Sequence, residues 1–170
     1  WTLYANRKLT VGQEPPQNWS ELLQRCEAMR ESWPDGVVAV ATPFELFSLY
    51  FVSQGGRYFS SPPVRPGFAG ALGISSGKYV QGLASHCLFG QEAHRKFAQG
   101  KIPYLLDTSA KLQQLEAELG GDLQILPLPR GAGDRIQLTG TQLSVFSGHS
   151  SARKRGGLRL LRFLIAPEQQ

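Results

Sequence analysis

Asp107 closes an apolar run, Ile102 to Leu106, and is followed by Thr108 and Ser109. A carboxylate at the end of a buried strand needs a polar partner, because desolvating it uncompensated is costly, so this stretch is the first candidate for ligand contact. The other reactive side chains are scattered. His86, His94 and His149 have no carboxylate at ligand-like spacing, and Cys26 and Cys87 form neither a CxxC pair nor half of a zinc quartet. His86 stands next to Cys87, which leaves a metal-binding or nucleophilic role open beside the plainer reading of Cys87 as a small apolar residue packed in a helix. Whether the two thiols pair depends on distances that spacing does not give. The sequence contains no G-x-S-x-G, H-E-x-x-H, Walker loop or G-x-G-x-x-G. Catalysis by a local motif is therefore not expected, and the remaining enzymatic reading is a dispersed site in which Cys87 works with His86 or Asp107. No metal and no cofactor is expected.

The charge balance offers a second kind of chemistry. The formal net charge is +5, and much of the excess lies in Arg153, Lys154, Arg155, Arg159 and Arg162, interleaved with Leu158, Leu160, Leu161 and Phe163. A basic stripe on an amphipathic helix grips nucleic acid or an anionic surface, or else is simply the solvated side of a helix whose other side is core. The second reading is the plainer one, so no nucleic-acid partner is expected, and the Arg153–Arg162 helix stands as the alternative.

These residues need a scaffold, and 170 residues with 41% hydrophobic and 18% charged content suffice for one domain or one large lobe. No apolar run approaches the ~18 residues of a membrane span. Trp1-Thr2-Leu3-Tyr4 lacks the features of a signal peptide, although one removed upstream is compatible with the sequence. Trp1 to Leu9 opens with a strand-like run. Asn18 then stands at a helix N-cap, with Glu21 completing a capping box, and Trp19, Leu22, Leu23, Cys26 and Met29 fall on one face of a helix over 19–31. Trp19 and Trp33 are assigned to packing. Val37 to Ala41 reads as a strand buried on both sides, and Thr42-Pro43 starts a helix that Gly55-Gly56 ends.

Tyr58-Phe59-Ser60 reads as a short strand, and 62–77 as a loop passing into a helix that ends near Cys87. Gln91 to Ala98 is helical, Ile102 to Leu106 a strand, Ser109 to Leu119 a helix and Leu123 to Leu126 a strand. Pro127 to Gly133 reads as an exposed turn, Thr141 to Phe146 as a strand, and Ser151 to Ile165 as a last helix stopped by Pro167. Alternation of this kind predicts an α/β fold, a sheet flanked by helices.

Several segments together resemble the family-1 extracellular solute-binding proteins, which include maltose-, glycerol-phosphate- and other sugar-binding components of ABC transporters. Leu3-Tyr4-Ala5-Asn6-Arg7-Lys8-Leu9 is similar to the family's "lyYNkdL" strand, and Pro15-Pro16-Gln17-Asn18-Trp19-Ser20-Glu21-Leu22-Leu23 resembles "pPkTWdELl". Phe51 to Gly56 is similar to the "qnGG" helix end, and Phe97-Ala98-Gln99-Gly100-Lys101-Ile102-Pro103-Tyr104 resembles "F.~GkaAM". Gly140 to Val145 and Phe163 to Glu168 look like "Ggt.laV" and "FLtsPE".

The resemblance implies a type II periplasmic-binding-protein-like lobe with a mixed sheet flanked by helices. Residues 1–126 would form the second lobe and 127–170 a segment returning toward the first. A first lobe would precede Trp1 and a further helical segment follow Gln170. The last helix, lacking its usual partner, would then dock on its own lobe or on a swapped copy of the chain. The implied partners are a small solute, most simply a carbohydrate, and the transporter's permease. The implied location is periplasmic or extracellular, and a lipid anchor in the precursor is compatible with it.

By position in the family, the solute-binding set would be Tyr4, Phe44, Phe47, Asp107, Ser109, Gly140 and Thr141. For Phe44 and Phe47 core packing stands beside ligand contact, and for Tyr4 and Asn6 a structural role beside a binding one. The sequence departs from the family at Ala110, which occupies the approximate position of a tryptophan that serves as a sugar platform.

Overall fold

A computed structural model of the protein describes residues 1–59, 63–133, 135–137, 148, 150–164 and 166. The chain divides into two compact units, residues 1–138 and 139–170.

The first unit is built on a five-stranded sheet of β1 (Thr2–Asn6), β2 (Val38–Val40), β3 (Cys87–Phe89), β4 (Tyr104–Asp107) and β5 (Leu123–Leu126), in the order β3-β2-β4-β1-β5. β2 runs parallel to both β3 and β4, whereas β1 is antiparallel to its neighbours β4 and β5. The mixed sheet flanked by helices is the architecture anticipated from the alternating pattern.

Strand side chains alternate between two cores. Leu3, Ala5, Val38, Val40, Tyr104 and Leu106 face one way, into a cluster with Trp19, Leu22, Cys26, Leu46, Leu49, Val80 and Leu83. Tyr4, Ala39 and Leu105 face the other way, against Ala93, Phe97 and Leu115. This period of two assigns the helices to their faces. α1 (Trp19–Met29), α2 (Pro43–Ser53) and α3 (Ala71–Ala84) cover one side of the sheet, and α4 (Gln91–Ala98) and α5 (Leu112–Leu119) the other. Each fully buried leucine of this kind contributes about 1.5–3 kcal/mol of transfer free energy.

The local signals act as the sequence anticipates. Asn18 Oδ1 accepts the Glu21 N–H at 2.9 Å, and Glu21 reaches back to the Gln17 N–H at 2.7 Å, so the capping box fixes where α1 begins. Thr42 caps α2 in the same way, its Oγ1 accepting the Glu45 N–H at 3.1 Å, with Pro43 in the first turn. Trp19 is buried as expected, edge-on to Tyr50 and Tyr79, which stack on each other 3.9 Å apart. The half-buried Trp33 packs against the same core.

Three expectations need correction. Cys87 lies in strand β3 rather than in a helix, and its Sγ donates to the Leu83 carbonyl at 3.3 Å. With only three residues, all half-buried, β3 is too short to show a strand period. Phe59 makes a single antiparallel bridge with Pro66 instead of a strand, and Ser60 lies outside the described residues. The loop expected to pass into a helix near Cys87 does so, through a 3-10 turn, Gly67–Ala69, into α3, which ends at Ala84.

The third correction concerns Pro127 to Gly133, which is not a free turn but a segment tied across the ends of α1 and α2. The Arg130 N–H donates to the Gln17 carbonyl and the Gly133 N–H to the Ser53 carbonyl, both at 2.9 Å. A Cβ on Gly133 would lie 2.2 Å from the Gly55 nitrogen, so this crossing needs glycine.

In the second unit the described structure is α6 (Ser151–Leu164), which carries the five expected cations and no acid. Leu158, Leu160 and Phe163 on this helix are more than half exposed. The predicted strand over 141–146 lies outside the described residues.

Candidate functional site

Because β2, β3 and β4 are parallel, their carboxyl ends, at Val40, Phe89 and Asp107, share one edge of the sheet. Ligands of open α/β sheets gather outside such an edge. The chain turns differently after each strand. After β2, Ala41 leads into the Thr42 cap of α2. After β3, Gly90 takes φ 83°, a conformation that favours glycine, and its N–H donates to the carbonyls of Val40 and Ala41 at 3.2 and 3.0 Å. After β4, Thr108 leads into a 3-10 turn, Ser109–Lys111, before α5.

From this edge a cavity of about 790 Å³ extends between α4 and α5. Its apolar lining includes Val40, Ala41, Ala98 and Leu105, and its polar rim is formed by Gln91, His94, Asp107, Lys111, Gln114 and Glu118. The rim residues of α4 recur at steps of three and four, as one helical face must. On the α5 side the groups form a ladder. Lys111 Nζ donates to Gln114 Oε1 at 3.3 Å, and Gln114 Nε2 donates to Glu118 Oε1 at 3.0 Å. Arg95, which also lines the cavity, is held by Glu92 through contacts of 2.6 to 3.0 Å.

Asp107 is the residue that sequence reasoning and structure both bring to this site. Its side chain is 15% exposed, and Oδ1 accepts the Thr108 N–H at 2.6 Å. Oδ2 faces His94 Nε2 at 3.8 Å, too long for a hydrogen bond, and that buried nitrogen has no hydrogen-bond partner among the described residues. Ser109 is exposed in the following turn, as is Ala110. Phe44, in the first turn of α2, is 67% exposed, whereas Phe47 is half-buried against the core and stacks on Phe51 at 5.5 Å.

Tyr4 has no exposed surface. It sits beneath the edge, and its hydroxyl donates to the Thr108 carbonyl at 3.0 Å, so it braces the loop after β4. Burial raises its pKa, with the charges of Asp107 and then Glu116 adding to the effect. Asn6 is likewise buried and turns the chain after β1, its Oδ1 accepting the Lys8 N–H and its carbonyl the Thr10 hydroxyl. Gly140 and Thr141 lie outside the described residues.

Sequence reasoning missed His94, Lys111 and Gln114. Their signal was position: His94 and Gln114 each adjoin a buried anchor of their helix, Ala93 in α4 and Leu115 in α5, and Lys111 precedes Leu112, which packs against the same core, so each borders the sheet-facing side.

The competing site, His86 with Cys87, does not assemble as a nucleophile. Burial first, then the nearby Cys26, pushes the Cys87 thiol far above its usual range, which keeps it protonated and unreactive at neutral pH. Cys26 is pushed up to about 12, again chiefly by burial, and the two cysteines are free thiols. His86 is lowered, by burial and then by Arg30. Among the described residues, no group of three or more His, Cys, Asp or Glu is placed to hold a metal ion, and no helix is long and apolar enough to cross a membrane.

No protein-family model and no curated sequence matches this chain. Solved structures do. The sugar-binding protein MalE from the phytopathogen Xanthomonas citri is similar with a TM-score of 0.77 at 17% identity, over 98% of this chain and 46% of that one. UgpB from Mycobacterium tuberculosis, solved with glycerophosphocholine, is similar with a TM-score of 0.68 at 18% identity, over 99% and 47%. An ABC transporter solute-binding protein from Agrobacterium radiobacter, solved with ribitol, is similar with a TM-score of 0.71 at 15% identity, over 99% and 47%. The chain thus spans less than half the length of each, and it shares with them the fold of a solute-binding-protein lobe.

Proposed function

We propose that the chain is the second lobe of an extracytoplasmic solute-binding protein of an ABC transporter, which takes a sugar or similar small polar solute and delivers it to a permease. The observation that carries this reading is the cavity at the shared carboxyl edge of β2, β3 and β4, with Asp107 in its rim, in a lobe whose structural relatives bind small polar solutes.

In this reading Asp107 and the turn through Ser109 supply polar contacts, and Phe44 presents an exposed ring at the neighbouring helix start. Residues 127–170 return toward a first lobe, against which the exposed leucines of α6 pack. The solute is held between lobes, and closure around it makes the shape the permease recognises. The chain itself performs no chemistry. It acts outside the cytoplasm, where a receptor of this kind meets its solute.

A single lobe retains half of such a cleft, while the orientation and ordering costs of binding stay whole. The chain alone is therefore expected to bind feebly and the full-length protein well. Thermal-shift screening of the full-length protein against neutral sugars, polyols and their phosphates tests the reading. A rise in melting temperature with at least one solute, reduced in Asp107→Asn, is the expected result. No response to any of them at millimolar concentration contradicts it.

A further inference from the structure

The basic helix α6 takes no part in holding solute, yet its surface is organised. With about 100° of rotation per residue, Arg155, Arg159 and Arg162 fall within an arc of about 60°, and Leu158 and Phe163 lie about 40° beyond its two margins. All five are exposed, Leu158 by 51% and Phe163 by 56%. Leu160, Leu161 and Leu164 project from the opposite side, where Leu161 and Leu164 are half-buried. Packing of that side against a first lobe leaves the arginine arc outward. We propose that this arc rests on the surface of a bilayer containing anionic phospholipid.

Charge selects the sign of the partner. No Asp or Glu occurs between Arg135 and Pro167, so α6 and the sequence flanking it supply no counter-charge of their own. Among the described residues no salt bridge engages Arg155, Arg159 or Arg162. The planar fork of a guanidinium matches the oxygens of a phosphate. Arg153 and Lys154, in the first turn, lie outside the arc and add to the same positive field.

The apolar margins select its class. A nucleic-acid backbone would satisfy the arginines while leaving Leu158 and Phe163 in water. A single helical face of this extent also falls well short of the roughly 1,000 Å² that a specific protein complex buries. At a bilayer interface the guanidinium groups meet headgroup phosphates, and the apolar side chains beside them reach the acyl boundary. At 14 residues α6 is shorter than the ~20 of a membrane span, so it lies along the surface. Each cation held near such a surface raises the partition about fivefold, and three raise it about a hundredfold. Attachment of this strength is reversible and weakens with salt, and it would keep the receptor at the surface in which its permease lies.

Co-sedimentation of the full-length protein with phosphatidylcholine vesicles, with and without phosphatidylglycerol, tests the proposal. Binding at low salt only when phosphatidylglycerol is present, and its loss at high salt, is the expected result. The triple variant Arg155→Gln, Arg159→Gln, Arg162→Gln should lower the partition about a hundredfold, and Leu158→Gln should lower it several-fold. Because these side chains are exposed, the melting temperature and the solute-induced thermal shift should stay unchanged in both variants. Equal binding to the two kinds of vesicle, or no binding to either at low salt, overturns the proposal. So does vesicle binding that survives the triple variant. Binding to duplex DNA but not to phosphatidylglycerol vesicles overturns it in favour of a nucleic-acid partner. Each of these failures leaves the solute-binding reading intact, since that reading is measured by the thermal shift alone.

Discussion

Replacing Tyr4 by Phe separates bracing from contact at the sheet edge. The ring has no exposed surface and the substitution keeps it, so packing is conserved. What is lost is the hydroxyl that donates to the Thr108 carbonyl at 3.0 Å, next to Asp107. A net hydrogen bond of this kind contributes about 1 kcal/mol, within roughly 0.5–1.5. In a protein of this size each kcal/mol lowers the melting temperature by about 2–4 °C. Solute affinity is expected to change less than about threefold, because Tyr4 acts through the loop and cannot reach a ligand directly.

The same substitution alters the alkaline limb of stability. Tyr4 titrates above its ordinary value of 10.0 in the folded protein. Its neutral form is therefore kept by folding while the unfolded chain ionises, and stability is lost as pH rises from about 10. Phe has no proton to release, so the variant should lose less stability over that window than the wild type does. Circular-dichroism melts at pH 7 and above pH 10, with calorimetric titration at pH 7, make the three measurements. An unchanged melting temperature together with a tenfold loss of affinity would refute the reasoning, since Tyr4 would then have to touch solute.

Two further outcomes follow from burial. Phe47→Ala is expected to cost about 2–3 kcal/mol, because a half-buried ring stacked on Phe51 is removed, whereas the exposed Phe44→Ala should stay within about 0.5 kcal/mol. Urea melts compare them, and a Phe44 cost as large as that of Phe47 would mean that Phe44 is covered in solution. Cys26, ordinarily near 9.0, keeps its proton to about 12 when folded, so the unfolded state alone releases it as pH rises through that interval. The stability of the wild type should fall by roughly 1 kcal/mol by pH 10 from this thiol alone. A flat denaturant midpoint between pH 8 and 10 would place Cys26 outside the core.

What the sequence displayed clearly were features written in neighbouring residues. Asn18 with Glu21, and Thr42 with Pro43, mark helix starts because a cap acts within one turn, and Val38-Ala39-Val40 announces a strand buried on both faces because every residue is apolar. Asp107 was visible for the same reason, as a charge that ends an apolar run. The strand at Cys87 was hidden because three half-buried residues carry no measurable period, and the ties of 130–133 to α1 and α2 because hydrogen bonds to distant carbonyls leave no mark in composition.

That one hidden strand accounts for the hidden part of the site. With β3 unread, nothing indicates that the chain passes from β3 through α4 to β4 on the far side of β2, and so nothing places α4 beside α5. Once the order β3-β2-β4 is known, the rest follows from helix geometry. Ala93 and Phe97 must face the sheet, as must Leu115, and the residues that border those anchors must then line the space between the two helices. His94 comes to face Asp107 across that space although thirteen positions separate them in the chain. The groove is thus a consequence of strand order, and any sequence that kept the apolar anchors but reversed the crossover would carry the same residues without bringing them together.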